Sequence, residues 1–129
     1  MTSAVLDASA IIALLKNEAG AAKVAAVIAD ATVGVFNHAE VVSHFIRLGA
    51  PIDEIRAMLR SLPVTVLPAD EALGWEAGRL RAATSSAGLS LGDRFCLALA
   101  RRMDVPAYTA DTAWTAIAGA VGVKVVSIR

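Results

Sequence analysis

The chain has 129 residues, 57% of them apolar, including 28 alanines, and its twelve acidic side chains balance twelve basic ones. That is enough for one domain with one core over residues 1–129, and too short for two of ordinary size. Neutrality excludes a strongly basic nucleic-acid binder, although not a local basic patch, and 19% charged residues with a mean hydropathy of +0.61 exclude disorder.

Strands and helices alternate along the chain. Ala4 to Leu6 reads as a short strand ending at Asp7, followed by a buried helix from Ala10 to Leu15 and, after the polar Lys16-Asn17 break, a further helical stretch from Glu18 to Ala29. Val33 to Phe36 is a second strand candidate, and Asn37 to Leu48 a helix stopped by Gly49. Pro51 sits where helices begin, and Ile52, Ile55, Met58, Leu59 and Leu62 repeat at helical spacing. Val64 to Leu67 gives a third strand. Helices over Ala69 to Ala83 and Leu91 to Met103 follow, separated by a loop at Thr84 to Gly88. Ala107 to Thr109 reads as the fourth strand, Asp111 to Ala118 as a short helix and Val123 to Ile128 as the fifth strand. Short strands without polar alternation, separated by helices, predict an α/β fold: a parallel sheet covered on both faces.

Such sheets bind ligands at the carboxyl ends of their strands, beside the point where strand order reverses. Asp7 follows the first strand, the segment Asn37 to Glu40 the second, and Asp111 the fourth; Asp93 opens the long helix at Leu91. Each acid also has a purely structural role open to it. Asn37-His38-Ala39-Glu40 and Ser90-Leu91-Gly92-Asp93 both fit a capping box, and Asp7 and Asp111 could each cap a helix. Four carboxylates at one mouth would nevertheless repel one another unless protons or a cation neutralised them, and a divalent metal is the simplest solution.

Other chemistries find little support. A single cysteine, Cys96, excludes an internal disulfide framework and a cysteine-rich zinc site, and in its apolar helix it reads as an inert core residue. The chain has no phosphate-cradling glycine loop, no nucleophile-elbow serine and no H-E-x-x-H pair. His44 does share a helix face with Glu40, four residues away. Trp75 and Trp114 are expected in the core or at an interface. The N-terminus lacks a basic lead and Asp7 interrupts its apolar stretch, and no run approaches the roughly 20 apolar residues of a membrane span, so a cytoplasmic protein is expected.

The four acids fall in Val5-Leu6-Asp7-Ala8-Ser9, Asn37-His38-Ala39-Glu40-Val41, Leu89-Ser90-Leu91-Gly92-Asp93-Arg94 and Tyr108-Thr109-Ala110-Asp111-Thr112-Ala113-Trp114, spaced 33, 53 and 18 residues apart. In order, length and spacing the whole chain resembles a PIN-domain ribonuclease, specifically a VapC-type toxin of a type II toxin–antitoxin pair. Residues 89–100 and the Thr-Ala-Asp-Thr-Ala-Trp stretch carry the most specific part of the likeness. Ala8 departs from it, since the family often has Thr or Ser there.

The resemblance implies a three-layer α/β/α fold with a five-stranded parallel sheet in order 3-2-1-4-5, whose switch point falls between strands one and four. It also implies that Asp7, Glu40, Asp93 and Asp111 bind Mg²⁺, for which Mn²⁺ can substitute. Ser9 and Thr109 would be auxiliary hydroxyls. The implied activity is hydrolysis of RNA phosphodiesters, restrained by a VapB-type antitoxin, in a chain that pairs as a homodimer. Among the bases that could hold RNA (Arg47, Arg56, Arg60, Arg79, Arg81, Arg94, Arg101 and Arg102), Arg94 lies closest in sequence to the acids, as does Lys16. Two alternatives stay open. One is a metal-dependent phosphatase with Asp7 as nucleophile, whose usual second Asp two residues on is Ser9 here; the other is a non-catalytic binding or regulatory module.

Overall fold

The computed structural model describes residues 2–129. Five strands, β1 (Ala4–Leu6), β2 (Ala31–Gly34), β3 (Thr65–Leu67), β4 (Ala107–Thr109) and β5 (Val125–Ser127), form one sheet in the order β3-β2-β1-β4-β5. Every pairing is parallel, with Val5 opposite Thr32 on one side and Ala107 on the other. The expected topology is the observed one. The helices are α1 (Ala8–Leu15), α2 (Ala21–Ala25), α3 (Val35–Arg47), α4 (Ile52–Arg60), α5 (Glu71–Arg79), α6 (Arg81–Thr84), α7 (Leu91–Met103) and α8 (Ala118–Val121).

Alternation along β1 divides the core. Ala4 and Leu6 point to one face, where α1, α2 and α3 bury Ile11, Val24 and Val41; Val5 points to the other, where α5 and α7 bury Leu73, Leu97 and Leu99 around Trp114. All of β1 is inaccessible to solvent, so the residue that follows it emerges from the centre of the sheet. Among the described residues, no helix is long and apolar enough to cross a membrane.

Three expectations need correction. The second strand ends at Gly34, not Phe36, and α3 begins at Val35 with Gly34 as its N-cap. A Cβ at Gly34 would lie 3.3 Å from Leu99 Cδ2, so α7 packs tightly where the strand ends, and this overrides the β propensity of Val35 and Phe36. The stretch Glu18 to Ala29 is not one helix. Gly20 adopts φ +91° against the backbone carbonyl of Ile128, leaving α2 only five residues before a 3₁₀ turn at Ile28–Asp30. The helix expected from Ala69 to Ala83 is likewise divided, with α5 and α6 meeting at Leu80.

Candidate functional site

Strand order reverses between β1 and β4, and Asp7 leaves β1 at that point. Its amide donates to Tyr108 O across the β1–β4 pairing (2.9 Å), which fixes the backbone. Asp7 takes the N-cap position of α1, yet its side chain caps no amide. Instead Oδ2 accepts from Ser9 Oγ at 2.6 Å and from Thr109 Oγ1 at 3.1 Å. Those hydroxyls are set in turn by the chain after β4: the Ala110 amide donates to Ser9 Oγ (2.9 Å) and the Asp111 amide to Thr109 Oγ1 (3.0 Å). Ser9 and Thr109 therefore orient Asp7, as their sequence positions beside the switch point allow.

Asp7 is 5% exposed, and among the described residues no cation is paired with it. Burial is the main reason its pKa rises from 3.8 to about 6; the Ser9 and Thr109 hydrogen bonds oppose this, and the charges of Asp93 and Glu40 add to it. Glu40 is also raised, by burial first and by Asp93, against the hydrogen bond from Asn37. Asp93 is raised by burial and by Asp111, against its bonds from Ser90. Mutual repulsion thus links Asp7, Glu40, Asp93 and Asp111 at one end of the sheet.

The capping alternatives divide the four. Asp93 does form a capping box: Ser90 Oγ accepts from the Asp93 amide (3.2 Å) and Asp93 Oδ2 from the Ser90 amide (2.9 Å). Asp111 caps a 3₁₀ turn by accepting from the Ala113 amide at 2.9 Å. Asn37 and Glu40 form no capping box, because α3 starts two residues before Asn37.

Asn37 acts otherwise, in a role the sequence reading missed. It is 1% exposed, and its Nδ2 donates to Glu40 Oε1 (2.9 Å) and Gly92 O (3.0 Å), with Asp7 Oδ1 at 3.5 Å. One amide thus holds two acids and the first turn of α7 together. Its Oδ1 is buried and has no partner. The only sequence signal was its place three residues before Glu40, which a helix cap explained as well.

Gly92 completes the arrangement. A Cβ there would lie 2.6 Å from both carboxylate oxygens of Glu40, so the carboxylate rests where any side chain would stand. The Gly92→Ala variant should keep the fold to within about 1 kcal/mol, since alanine suits a helix better and Glu40 can swing aside. Metal affinity or activity should fall about 10- to 100-fold as Glu40 is displaced. A denaturant melt beside a metal titration separates the two effects.

The remaining candidates lie at the margins. Arg94 donates to Thr84 Oγ1 (3.1 Å) and Leu89 O (2.8 Å), bracing the loop before α7. Lys16 pairs weakly with Glu18 at 3.7 Å. Arg56, Arg79 and Arg102 face Asp53, Glu76 and Asp70 in exposed ion pairs. His44 accepts from Arg47 at Nδ1 (3.3 Å); burial, then Lys16 and Arg47, push its pKa down. Cys96 is fully buried near the acids, and burial together with Asp7, Asp93 and Glu40 holds its thiol protonated. Trp114 lies in the core, whereas Trp75 is 68% exposed on α5.

The donor set suits a hard divalent cation, since all four acids offer carboxylate oxygens. Among the described residues, no three acidic, histidine or cysteine side chains converge closely enough to hold an ion as they stand. Two of the acids are engaged as caps, and turning Asp93 and Asp111 off their amides would free oxygens for a shared ligand. The residues fit the group by chemistry, after side-chain rotation.

The family model described as the PIN domain matches residues 4–120. Three solved structures share the fold over nearly the whole chain. They are a toxin–antitoxin complex from Klebsiella pneumoniae (TM-score 0.74, 19% identity, 98% of each chain covered), DNA-bound VapBC from Salmonella typhimurium (0.78, 16%, 100% of each) and FitAcB from Neisseria gonorrhoeae (0.75, 19%, 97% of each). No curated protein matches the chain.

Proposed function

This chain belongs to the PIN-domain family, and from that premise we propose that it is a metal-dependent endoribonuclease, the toxin of a VapBC-type pair, acting in the cytoplasm as a single PIN-like domain. The observation that carries the proposal is Asp7: a buried carboxylate held by two hydroxyls at the switch point, with the charges of Glu40 and Asp93 acting on it and that of Asp111 acting on Asp93. Two of the structural neighbours are a toxin–antitoxin complex and a VapBC complex, which supports an antitoxin partner of the VapB type. Exposed Trp75, Ile52 and Val66 provide apolar surface of the kind a protein partner or a second copy covers.

In this reading Asp7, Glu40, Asp93 and Asp111 would hold Mg²⁺ or Mn²⁺. The ion, when bound, supplies positive charge at the scissile phosphate and leaving oxygen and makes the attacking water more acidic. The protein does the rest by preorganisation. Ser9 and Thr109 fix which oxygen of Asp7 faces the site, Asn37 fixes Glu40 relative to Asp7, and the two caps restrain Asp93 and Asp111. No histidine has to act as a base.

Purified protein should cleave RNA with Mg²⁺ or Mn²⁺ and stop in EDTA; Ca²⁺, with its looser coordination, should support it poorly. Cleavage that persisted in EDTA, once contaminating nuclease was ruled out, would defeat the proposal. Turnover of a chromogenic phosphate ester with no RNA cleavage would favour the phosphatase instead. That alternative is disfavoured because the second Asp such enzymes carry two residues on is Ser9 here, and Ser9 Oγ donates to Asp7 Oδ2 at 2.6 Å. Wild type that neither cleaved nor bound metal would indicate the non-catalytic module.

A further inference from the structure

Phe36, Ala39, Glu40, Ser43, His44 and Arg47 recur at helical spacing on α3 and line one open cavity of about 460 Å³. Glu40 lines this cavity and belongs to the acidic site, so the two meet at that residue. At one end Phe36 stacks on Phe95, with ring centroids 4.7 Å apart and planes 13° from parallel. Phe36 is nevertheless 37% exposed, and Val35 beside it in sequence and Leu91, one turn before Phe95 on α7, are exposed too, which leaves an apolar step at the surface. At the other end Arg47 lies 3.3 Å from His44 Nδ1, which orients the guanidinium, and Lys16 at the end of α1 acts on the same histidine, opposed by Glu18. Apart from Glu40 itself, none of these residues hydrogen-bonds any of the four acids.

We propose that this face of α3 seats the RNA strand beside the acidic site, with a base stacked on Phe36 and a backbone phosphate held by Arg47. The proposal rests on the ribonuclease reading and deepens it by naming where substrate lies. The distribution of charge selects this occupant. Arg47 attracts a polyanion and repels a basic peptide, while Lys16 beside it is partly offset by its pair with Glu18, so a phosphate chain can pass from the Arg47 end toward acids that, without a cation, would turn it away. A stack already formed by Phe36 and Phe95 accepts any base, because every base has a π-face.

The test uses Phe36→Ala, Phe36→Trp and Arg47→Ala. Binding of a short fluorescently labelled single-stranded RNA of mixed sequence is read by anisotropy in the cleavage-silent Asp7→Asn background, and kcat and KM are read in the wild-type background. Phe36→Ala should raise Kd and KM roughly 5- to 100-fold with kcat little changed, and Phe36→Trp should restore both. Arg47→Ala should weaken binding and lower the slope of log K against log salt by about 0.7. Both residues are exposed at the surface, so melting temperatures should stay close to wild type. If wild type cleaves RNA while Kd, KM and salt slope are unmoved in all three variants, this inference falls and the ribonuclease reading stands. The same holds if the variants lose only capture of a protein partner. If wild type neither cleaves nor, as Asp7→Asn, binds RNA, both fall together.

Discussion

Replacing Asp7 by Asn should abolish the growth arrest caused by expressing the protein alone and cut RNA cleavage by on the order of 10²–10³-fold or more, as removal of a central electrostatic group does elsewhere. The same change should make the metal-free protein more stable. A buried carboxylate whose pKa has risen from 3.8 to about 6 costs the fold about 3 kcal/mol at neutral pH. Asn removes that charge and keeps an oxygen that Ser9 and Thr109 can still donate to, so the loss of charge-assisted bonding, about 1 kcal/mol, does not cancel the gain. Melting temperature should therefore rise by several degrees while activity disappears. An Asp7→Asn protein that stayed toxic, or that melted lower than wild type, would mean that Asp7 is an ordinary structural aspartate.

Stability of the metal-free protein should also depend on pH in a direction opposite to that of a salt-bridged carboxylate. Below 3.8 Asp7 is protonated in both the folded and the unfolded chain and imposes no penalty. As pH rises the unfolded chain ionises first, and the folded protein loses stability until Asp7 ionises as well at about 6. Glu40 and Asp93, both raised, act in the same sense, whereas Asp70, lowered mainly by its bond from Arg102, acts in the other. Subtracting the curve of Asp7→Asn from that of wild type isolates the contribution of Asp7, about 3 kcal/mol lost between about pH 4 and 6. Saturating Mg²⁺ should restore much of it at pH 7, about 2.7 kcal/mol when the ion stands at 100 times its Kd, and very little at pH 4, where protons occupy the carboxylates. Equal stabilisation by Mg²⁺ at both values would place the ion away from these acids.

The sheet was legible in the sequence because its strands are buried on both faces and its helices carry distinct periodicity, so the class and the strand positions followed from composition and spacing. Strand order came from the resemblance alone. Boundaries were lost where tertiary contacts outweighed local preference. Val35 and Phe36 have β propensity, yet the approach of Leu99 to Gly34 ends the strand before them. That two-residue difference also hid Asn37. Read as a helix cap it had a satisfactory local role, and only with α3 beginning at Val35 does its side chain turn inward to bridge Glu40, Gly92 and Asp7. The four acids could be picked out because each follows a strand or opens a helix. Whether each is a cap depended on side-chain direction, which spacing does not encode: Asp93 and Asp111 cap, while Asp7 and Glu40 do not.

The most direct test is a calorimetric titration of Mn²⁺ into wild type, Asp7→Asn and Glu40→Gln at neutral pH, in the absence of RNA. Saturable binding in wild type that weakens at least 10- to 100-fold in both variants, with each variant folded and melting no lower than wild type, is the expected result. Undiminished binding in Asp7→Asn and Glu40→Gln, or no saturable binding to wild type at all, would contradict the assignment of these carboxylates to one metal-holding site.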